Sequence, residues 1–246
     1  MIKVNAAALL LDIEGTISPV TYVVDVLFPF ARSRFPDFLK DNWEKTSVLT
    51  ACDLMARDAG QDNAEQWLKD LDSLEEKIGF IVDDLNKLMD LDIKATGLKE
   101  LQGLIWKEAF EKGELESVVF PDLPGALERW KADGLQTAIY SSGSATAQRT
   151  FLEHTEFGNL ADYFSGFFDT TVGAKKRPES YKLIASIIKM PEAEIVFMSD
   201  LVAELDAARD SGMQTVLLLR PGNIKQENNS HAAISNFNEI EIKASK

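Results

Sequence analysis

The sequence predicts an α/β fold in which helices cover both faces of a parallel sheet. Four apolar segments have the length and composition of buried parallel strands, and each ends at small or polar residues. They are AAALLLDI (6–13), LQTAIYSS (135–142), EIVFMSD (194–200) and TVLLLR (215–220). Helical patterns separate the last three strands, and this alternation is typical of a doubly wound, Rossmann-like sheet with right-handed crossovers.

The helices between these strands carry recognisable end signals. Pro124 stands near the start of PGALERWKADG and Gly134 at its end, which is the usual placement of proline and glycine around a helix. Ser144 is a candidate N-cap for SATAQRTFLEHT, and Gly212 closes LVAELDAARDSG. The helix boundaries therefore agree with the strand assignments.

Residues 17–116 follow a different pattern, in which apolar residues recur at helical spacing without a convincing strand. Proline and glycine interrupt this pattern at Pro29, Pro36, Gly60 and Gly97. The sequence thus predicts a core of residues 1–16 and 117–246 with an all-helical cap, residues 17–116, inserted after the first strand. We expect the cap above the carboxyl end of that strand, where open α/β sheets bind ligands. The expected apolar core of the cap includes Phe80, Leu85, Trp106 and Phe110.

Composition limits the classes of partner. The 246-residue chain has a formal net charge of −14, whereas affinity for nucleic acids and anionic membranes comes from clustered Lys and Arg, so neither is an expected partner. Cys52 is the only cysteine, which fits a reducing compartment. We predict a cytoplasmic monomer, with a nuclear fraction if the source is eukaryotic. His154 and His231 are the only histidines, which disfavours a histidine-dependent hydrolase or a multi-histidine zinc site.

Two carboxylates stand at the end of the first strand. Strand side chains alternate with period two, so Asp12 and Glu14 are expected to project from the same side of an extended chain. Without a cation, two neighbouring carboxylates repel one another and raise the pKa of one of them. The arrangement therefore indicates a metal, a proton or a reaction that uses both acids. Taken alone, the pair is more simply explained as two solvated acids at a strand end.

The carboxyl ends of parallel strands lie along one edge of a sheet, so residues that end different strands converge there. The residues collected in this way are Asp12, Glu14, Ser141, Ser142, Ser199 and Asp200, with Lys175 from the preceding loop. A carboxylate nucleophile, a metal, phosphate-binding hydroxyls and a charge-neutralising lysine are what phosphoryl transfer through an acyl-phosphate requires. Individually, the serines and Asp200 could be turn or helix-capping residues.

Four ordered stretches, DIEGT, IYSSGS, KKRP and FMSDLVAE, resemble the four motifs of the haloacid dehalogenase superfamily of aspartate-nucleophile phosphotransferases. Glu14, in place of a second aspartate, together with DVLFP, VFPDLPGAL, FFDTTVGAKKRPESY and RPGN, resembles its acireductone synthase (enolase-phosphatase) family. The resemblance covers core and cap. It implies a core of the haloacid dehalogenase type and a hydrolase that acts in methionine salvage.

The resemblance also implies a reaction. The family uses one Mg²⁺ per subunit and acts on a small phosphorylated diketone, 2,3-diketo-5-methylthiopentyl-1-phosphate. It enolises the diketone and then removes its phosphate, which yields an acireductone. The base for the enolisation is not identified by any motif, and Glu14 is a candidate.

Transferred to this chain, the family pattern gives each site residue a role. Asp12 would attack phosphorus, and Glu14 would act as general acid and then base while its carbonyl joins the metal shell of Asp12 and Asp200. Ser141, Ser142 and Lys175 would bind the phosphate, with Lys175 also balancing the charge of Asp12. Four neighbouring residues would support these groups without touching the metal or the phosphate: Gly15, Thr16, Ser199 and Glu204. Glu204 takes the place of the second acid of the fourth motif.

Three alternatives remain at this point. A general small-molecule phosphatase of the same superfamily would use the same residues. A dehalogenase would not need Glu14. A phospho-aspartate signalling or binding module would lack a helical insertion of domain size.

Overall fold

The structure is a computed structural model that describes residues 1–226 and 230–244. The chain divides into two compact units. One comprises Met1–Val23 and Glu116–Lys246 and contains the sheets. The other comprises Val24–Leu115 and is helical throughout.

The strands of the described residues are, in chain order, Ile2–Ala6 (β1), Ala8–Leu11 (β2), Gln136–Tyr140 (β3), Gly166–Phe168 (β4), Ile195–Ser199 (β5), Gln214–Leu218 (β6), Ala232–Ile234 (β7) and Ile240–Ala244 (β8). Six form one sheet in the order β4-β3-β2-β5-β6-β7, and β1 pairs with β8 in a second. All pairings are parallel. The predicted parallel α/β fold is therefore confirmed.

The four strands found from the sequence are the buried centre of the main sheet. β2 and β5 are buried along their whole length, which is why they show as continuous apolar runs. The strands that the sequence analysis missed lie at the edges or in the small sheet. β4 and β7 have three residues each, too few to display a pattern, and β1 alternates between exposed and half-buried residues up to Ala6.

The α-helices are, in chain order, Val20–Tyr22 (α1), Phe28–Asn42 (α2), Thr46–Asp58 (α3), Ala64–Trp67 (α4), Leu74–Asp90 (α5), Thr96–Glu111 (α6), Leu123–Ala132 (α7), Ala145–Glu153 (α8), Pro178–Ile188 (α9) and Val202–Ser211 (α10). A π-helix, Val23–Leu27, joins α1 to α2. Single 3₁₀ turns occur at Ala161–Tyr163, Glu192–Glu194 and Phe237–Glu239.

The predicted helix ends in the α/β unit are confirmed. Ser144 caps α8, because its hydroxyl accepts a hydrogen bond from the Ala147 N–H at 3.3 Å. Pro124 lies in the first turn of α7, and Gly134 follows that helix. Gly212 ends α10 with φ +107°, a left-handed conformation that favours glycine.

The core of the α/β unit lies between its sheet and helices. Tyr140, Tyr181 and Phe197 are fully buried there and meet edge to face, with ring centroids 5.4 Å apart for Tyr140 and Tyr181 and 5.0 Å apart for Tyr181 and Phe197. Leu10 of β2 and Leu205 of α10 complete this cluster. The edge-to-face aromatic cluster thus supports the strands whose ends carry the predicted site.

The helical unit has its own core, formed by α2, α3, α5 and α6. Phe35 and Leu39 on α2 are fully buried in it, and helix α2 continues through Pro36, where the sequence predicted a break. Burial of the side chains on both sides of the proline stabilises the helix despite the lost backbone hydrogen bond. Phe80 was expected in this core but is 43% exposed and meets Trp67 edge to face.

The units divide after Val23 and after Leu115, whereas the predicted bounds are 16/17 and 116/117. Residues 17–23 belong with the α/β unit because they bond to its backbone. The Ile17 carbonyl accepts from Phe120 N–H at 2.9 Å, and the Ser18 hydroxyl donates to the Val118 carbonyl at 2.8 Å. The Tyr22 hydroxyl donates to the Glu116 carbonyl at 2.8 Å.

No helix in residues 1–226 and 230–244 is both long and apolar enough to cross a bilayer. The polar stretch PGNIKQENNSHAA (221–233) predicts a mobile loop from its composition. Residues 227–229 of this stretch lie outside the described residues. Ala232 and Ala233 belong to β7 instead.

Replacement by alanine is expected to have opposite effects on stability at two glycines of α6, Gly97 and Gly103. A β-carbon on Gly97 would lie closer than 3.0 Å to Met55, including its backbone, whereas one on Gly103 would meet nothing within 4 Å. Gly97→Ala should therefore lower the unfolding temperature. Gly103→Ala should raise the free energy of unfolding by about 1 kcal/mol, because alanine loses less backbone entropy in a helix. Thermal unfolding followed by circular dichroism measures both, and equal effects would contradict the packing.

Candidate active site

The predicted site residues gather where the sheet reverses its strand order. From β2 the chain adds β3 and β4 on one side and then β5, β6 and β7 on the other. Leu11, the last residue of β2, is level with Ile139 and Met198 on the neighbouring strands. Open α/β sheets bind ligands at such a reversal, outside the carboxyl ends of the strands.

A tight turn follows β2. The Ile13 carbonyl accepts hydrogen bonds from the N–H groups of Thr16 (3.2 Å), Ile17 (2.9 Å) and Ser18 (3.0 Å), and Gly15 has φ +69°. The strand ends at Leu11, so the strand alternation used to place Asp12 and Glu14 on one side does not extend to them.

The two acids of this turn have different environments. Asp12 is 2% exposed, and its Oδ1 accepts from the Ile13 N–H at 2.8 Å. Glu14 is half-buried and forms a backbone bridge with Ser18. The turn therefore separates a buried carboxylate from one nearer to solvent.

Lys175 joins Asp12 to Glu204. Its Nζ lies 2.6 Å from Asp12 Oδ1 and 2.7 Å from Glu204 Oε2, and all three residues are buried. Tyr181 of α9 anchors the lysine backbone by donating its hydroxyl to the Lys175 carbonyl at 2.6 Å. Glu204, predicted only to support the reacting groups, thus contacts the lysine directly.

This ion pair determines the charge state of the lysine. Burial alone would lower the pKa of Lys175, but the carboxylates of Asp12 and Glu204 outweigh it, so the pKa lies above its usual range. Lys176 and Arg177, its neighbours in sequence, are exposed. Of the three basic residues in KKR, Lys175 is therefore the one built into the site.

Ser199 connects the ends of β2 and β5. Its Oγ lies 3.1 Å from Glu204 Oε2 and 3.4 Å from Asp12 Oδ2, and it accepts from the Leu201 N–H at 3.1 Å. One hydroxyl proton cannot serve two acceptors fully, and the shorter distance favours Glu204. Asp12 Oδ2 therefore has only a weak hydrogen bond from Ser199, whereas Oδ1 is bound by Lys175 and by the Ile13 N–H.

Asp200 follows β5 and is 6% exposed. Burial, followed by the charges of Asp12 and Glu204, raises the pKa of Asp200 to about 7, although Lys175 acts in the opposite direction. The alternative in which Asp200 caps the next helix is not observed, since α10 begins at Val202 after Leu201 without a side-chain cap.

The site carries more negative than positive charge, with three acids around one lysine. Burial and the Asp12 charge also raise the pKa of Glu204, while Lys175 lowers it. A bound cation would relieve this excess. The charge balance therefore supports the predicted cation site.

The donor atoms fit Mg²⁺. No group of three or more His, Cys, Asp or Glu residues within the described chain is arranged to hold a metal. The predicted ligands Asp12 and Asp200 offer carboxylate oxygens, and the neighbouring turn and Asn223 offer carbonyl and amide oxygens. Asn223 Oδ1, a buried oxygen without a hydrogen-bond partner in the described residues, lies near Gly15 and Asp200. Oxygen-only sets with few carboxylates suit Mg²⁺, which keeps several waters.

The remaining predicted residues lie at the same rim. Ser141 follows β3, is 2% exposed, and its N–H donates to the Phe168 carbonyl at 3.1 Å. Ser142 is half-buried beside it. Thr16 is fully buried, and its Oγ1 has no hydrogen-bond partner among the described residues.

Sequence reasoning missed the residues that support the rim. Gln148 of α8 donates its amide to the carbonyls of Gly143 (2.7 Å) and Phe168 (2.8 Å), which holds the serine-containing loop against β4. Arg220 and Asn223 follow β6 and bond to the turn after β2. Both belong to the RPGN stretch, which resembles the family but carries no signal of this bonding in its sequence.

Comparison with known proteins decides the family. Residues 6–212 match the family described as "Hydrolase: haloacid dehalogenase-like hydrolase". An "Enolase-phosphatase E1" from Pseudomonas fluorescens is 40% identical over 236 residues, which is 96% of this chain and 97% of the relative. The chain belongs to the enolase-phosphatase family of haloacid dehalogenase-like hydrolases. The resemblance found in the sequence is thereby confirmed, and the protein is an enzyme of this family.

Other enolase-phosphatases and solved structures agree. The relative named "Enolase-phosphatase E1" in Drosophila melanogaster is 41% identical over 89% of this chain and 85% of its own. The structure of the UTR4 protein from Saccharomyces cerevisiae superposes with a TM-score of 0.74 at 29% identity, covering 94% of this chain and 98% of that one. The structure of a dehalogenase superposes with a TM-score of 0.55 at 17% identity, covering 95% of each chain, which shows a common fold.

The raised pKa of Asp200 predicts a pH dependence of stability in the metal-free enolase-phosphatase. Between about pH 4 and pH 7 the unfolded carboxyl is ionised while the folded one keeps its proton, so the unfolded state binds fewer protons and stability falls as pH rises. Asp200→Asn removes this loss, which amounts to at most about 1.4 kcal/mol per pH unit. Urea unfolding in EDTA at several pH values measures it.

Saturating Mg²⁺ should oppose this loss in the wild type, because a cation favours the ionised carboxylate. Parallel stability curves for the wild type and Asp200→Asn between pH 4 and pH 7 would contradict the raised pKa.

Proposed function

We propose that this protein converts 2,3-diketo-5-methylthiopentyl-1-phosphate into the acireductone 1,2-dihydroxy-3-keto-5-methylthiopentene and phosphate, a step of methionine salvage. The substrate is first enolised, and its phosphate is then removed through an aspartyl-phosphate. The proposal extends the activity named for the enolase-phosphatase relatives to this chain.

The observation that carries the proposal is the pair of ion pairs that Lys175 forms with Asp12 and Glu204 at the carboxyl end of β2. Asp200 lies close enough for its pKa to respond to these charges. Lys175 Nζ lies 2.6 Å from Asp12 Oδ1 and offsets the charge of that carboxylate, which is the nucleophile that covalent phosphoryl transfer requires. The arrangement supports covalent phosphoryl transfer rather than a structural ion pair alone.

Asp12 has a defined attacking atom. Oδ1 is held by Lys175 and by the Ile13 N–H, whereas Oδ2 has one long contact, to Ser199, within the described residues. We assign the attack to Oδ2. The bond from Asp12 to phosphorus forms as the bond to the substrate oxygen breaks, and that oxygen takes up a proton.

Glu14 is the proposed proton carrier. Its half-buried position distinguishes it from Asp12 and leaves it nearer to solvent. It gives its proton to the leaving oxygen and then takes one from the water that attacks the aspartyl-phosphate, which releases phosphate and restores Asp12. We also assign to Glu14 the removal of the carbon-bound proton in the enolisation. Glu14 passes this proton to the enolate oxygen and takes up a new proton from solvent before phosphoryl transfer.

The other residues orient the phosphate. Ser141 and Ser142 are proposed to donate hydrogen bonds to its oxygens, and Lys175 offsets its charge as well as that of Asp12. Asp12, Asp200 and the Glu14 carbonyl would hold one Mg²⁺ per subunit. When bound, the cation supplies positive charge that polarises the phosphoryl oxygens. Gly15, Thr16, Ser199 and Glu204 support these groups.

The helical unit, Val24–Leu115, is proposed to act as the cap that selects the substrate. We further propose that the enzyme works as a cytoplasmic monomer without a nucleic-acid or membrane partner. The formal net charge of −14 supports the exclusion of polyanionic partners.

Asp12→Asn should reduce phosphate release to background, because an amide is a poor nucleophile at phosphorus. The matched control is Asp210→Asn, which makes the same chemical change on an exposed residue of α10 and should turn over like the wild type. Free phosphate is measured with a colorimetric assay. Wild-type turnover by Asp12→Asn would remove the assigned nucleophile.

Glu14→Gln keeps the size of the side chain and removes its proton transfer. Both enolisation and phosphate release should slow by about 10²–10⁴-fold, the usual contribution of a general acid or base. Single-turnover measurements of each phase test this assignment, and an unchanged enolisation rate would assign that step to another base.

One assay separates the function from its main alternative. The protein, Mg²⁺ and the diketone phosphate are mixed, and acireductone absorbance and free phosphate are followed together. Equal amounts of both products support the enolase-phosphatase. Phosphate without the enol indicates a general small-molecule phosphatase.

A further inference from the structure

Two side chains of the segment Arg220–Asn223 donate hydrogen bonds to the turn that carries Asp12 and Glu14. Arg220 Nε donates to the Thr16 carbonyl at 3.1 Å, and Asn223 Nδ2 donates to the Gly15 carbonyl at 2.9 Å and to the Leu218 carbonyl at 3.1 Å. The proposed reaction assigns no role to either side chain.

The surroundings of Asn223 determine which way its amide faces. Gly15 and Leu218 offer carbonyl oxygens, which only accept hydrogen bonds, so the NH₂ group must be the part that faces them. The oxygen, Oδ1, is therefore directed elsewhere. Its position is a consequence of hydrogen-bond chemistry.

Oδ1 and the carboxyl group of Asp200 both face the same side of Gly15. A β-carbon built on Gly15 would stand closer than 3.0 Å to Asp200 Oδ2 and 2.8 Å from Asn223 Oδ1, so both oxygens border the same point. Oδ1 is buried and has no hydrogen-bond partner among the described residues. A buried acceptor without a partner, close to an ionisable carboxyl group, calls for a donor or a cation.

A cation or its hydration shell answers this need better than another protein group. Asp12, Asp200 and Glu204 already crowd the site with carboxylates around Lys175. A neutral amide oxygen can bind a hard cation, or a water on it, without adding a further negative charge.

We propose that Asn223 is a positioning residue for the divalent cation. Its Oδ1 supplies an oxygen next to Asp200, directly or through a cation-bound water, while its Nδ2 holds the Gly15 carbonyl. The inference rests on the Mg²⁺ site of the proposed function and extends that site to the segment after β6.

Two substitutions separate the oxygen from the amide nitrogen. Asn223→Ala removes both, and Asn223→Asp keeps an oxygen in place of Oδ1 but loses the two donated hydrogen bonds. Both variants should unfold at a lower temperature without metal, since each loses the bonds to Gly15 and Leu218. Only Asn223→Ala should lose affinity for the cation.

The experiment is calorimetric titration of EDTA-treated wild type and variants with Mg²⁺, together with the Mg²⁺-induced shift in unfolding temperature. We expect about tenfold weaker Mg²⁺ binding for Asn223→Ala, the usual cost of removing a supporting oxygen. Asn223→Asp should bind Mg²⁺ at least as tightly as the wild type.

Three results would overturn the proposal in different ways. Equal losses of Mg²⁺ affinity in both variants would show that Asn223 only holds the turn. Unchanged affinity in Asn223→Ala would show that Oδ1 faces an ordinary buried water. Failure of the wild type itself to bind Mg²⁺ would reject the metal site of the proposed function, and the Asn223 role with it.

Discussion

The buried ion pair of Lys175 with Asp12 and Glu204 is the constraint on which the site depends. A charged amine at this depth is tolerated only because two carboxylates lie within 2.7 Å of it, and each carboxylate is tolerated because of the amine. Removing the amine or a carboxylate would leave buried charge unpaired and would lower the free energy of unfolding by several kcal/mol. The aromatic residue Tyr181 holds the lysine backbone, which ties this electrostatic arrangement to the core packing.

The turn after β2 is held from a second direction. Arg220 lies between the rings of Phe120 and Phe237, 4.3 and 4.6 Å from their centroids, and its Nη1 lies 3.0 Å from the Asp122 carboxylate. From this fixed position its Nε reaches the Thr16 carbonyl. The turn after β2 is therefore preorganised by side chains distant in sequence, which would reduce the reorganisation that the proposed reaction needs.

The sequence predicted the parts of the fold that have a local cause. The central strands are apolar on both faces because both are buried, and Ser144 and Gly212 mark helix ends through backbone chemistry of their own. Short edge strands such as β4 and β7 have no such signal. The continuation of α2 through Pro36 also had no local cause, because packing of distant residues against the helix overrides its propensity.

The sequence by itself determined the chemistry available to this protein: an ordered set of acids, hydroxyls and a lysine at strand ends, which resembles the enolase-phosphatase motifs. Only the tertiary structure decided how these groups interact. It pairs Glu204 with Lys175, raises the pKa of Asp200 to about 7 and brings Asn223 Oδ1 to the same rim. Burial and charge proximity depend on residues far apart in the chain, so no local pattern encodes them.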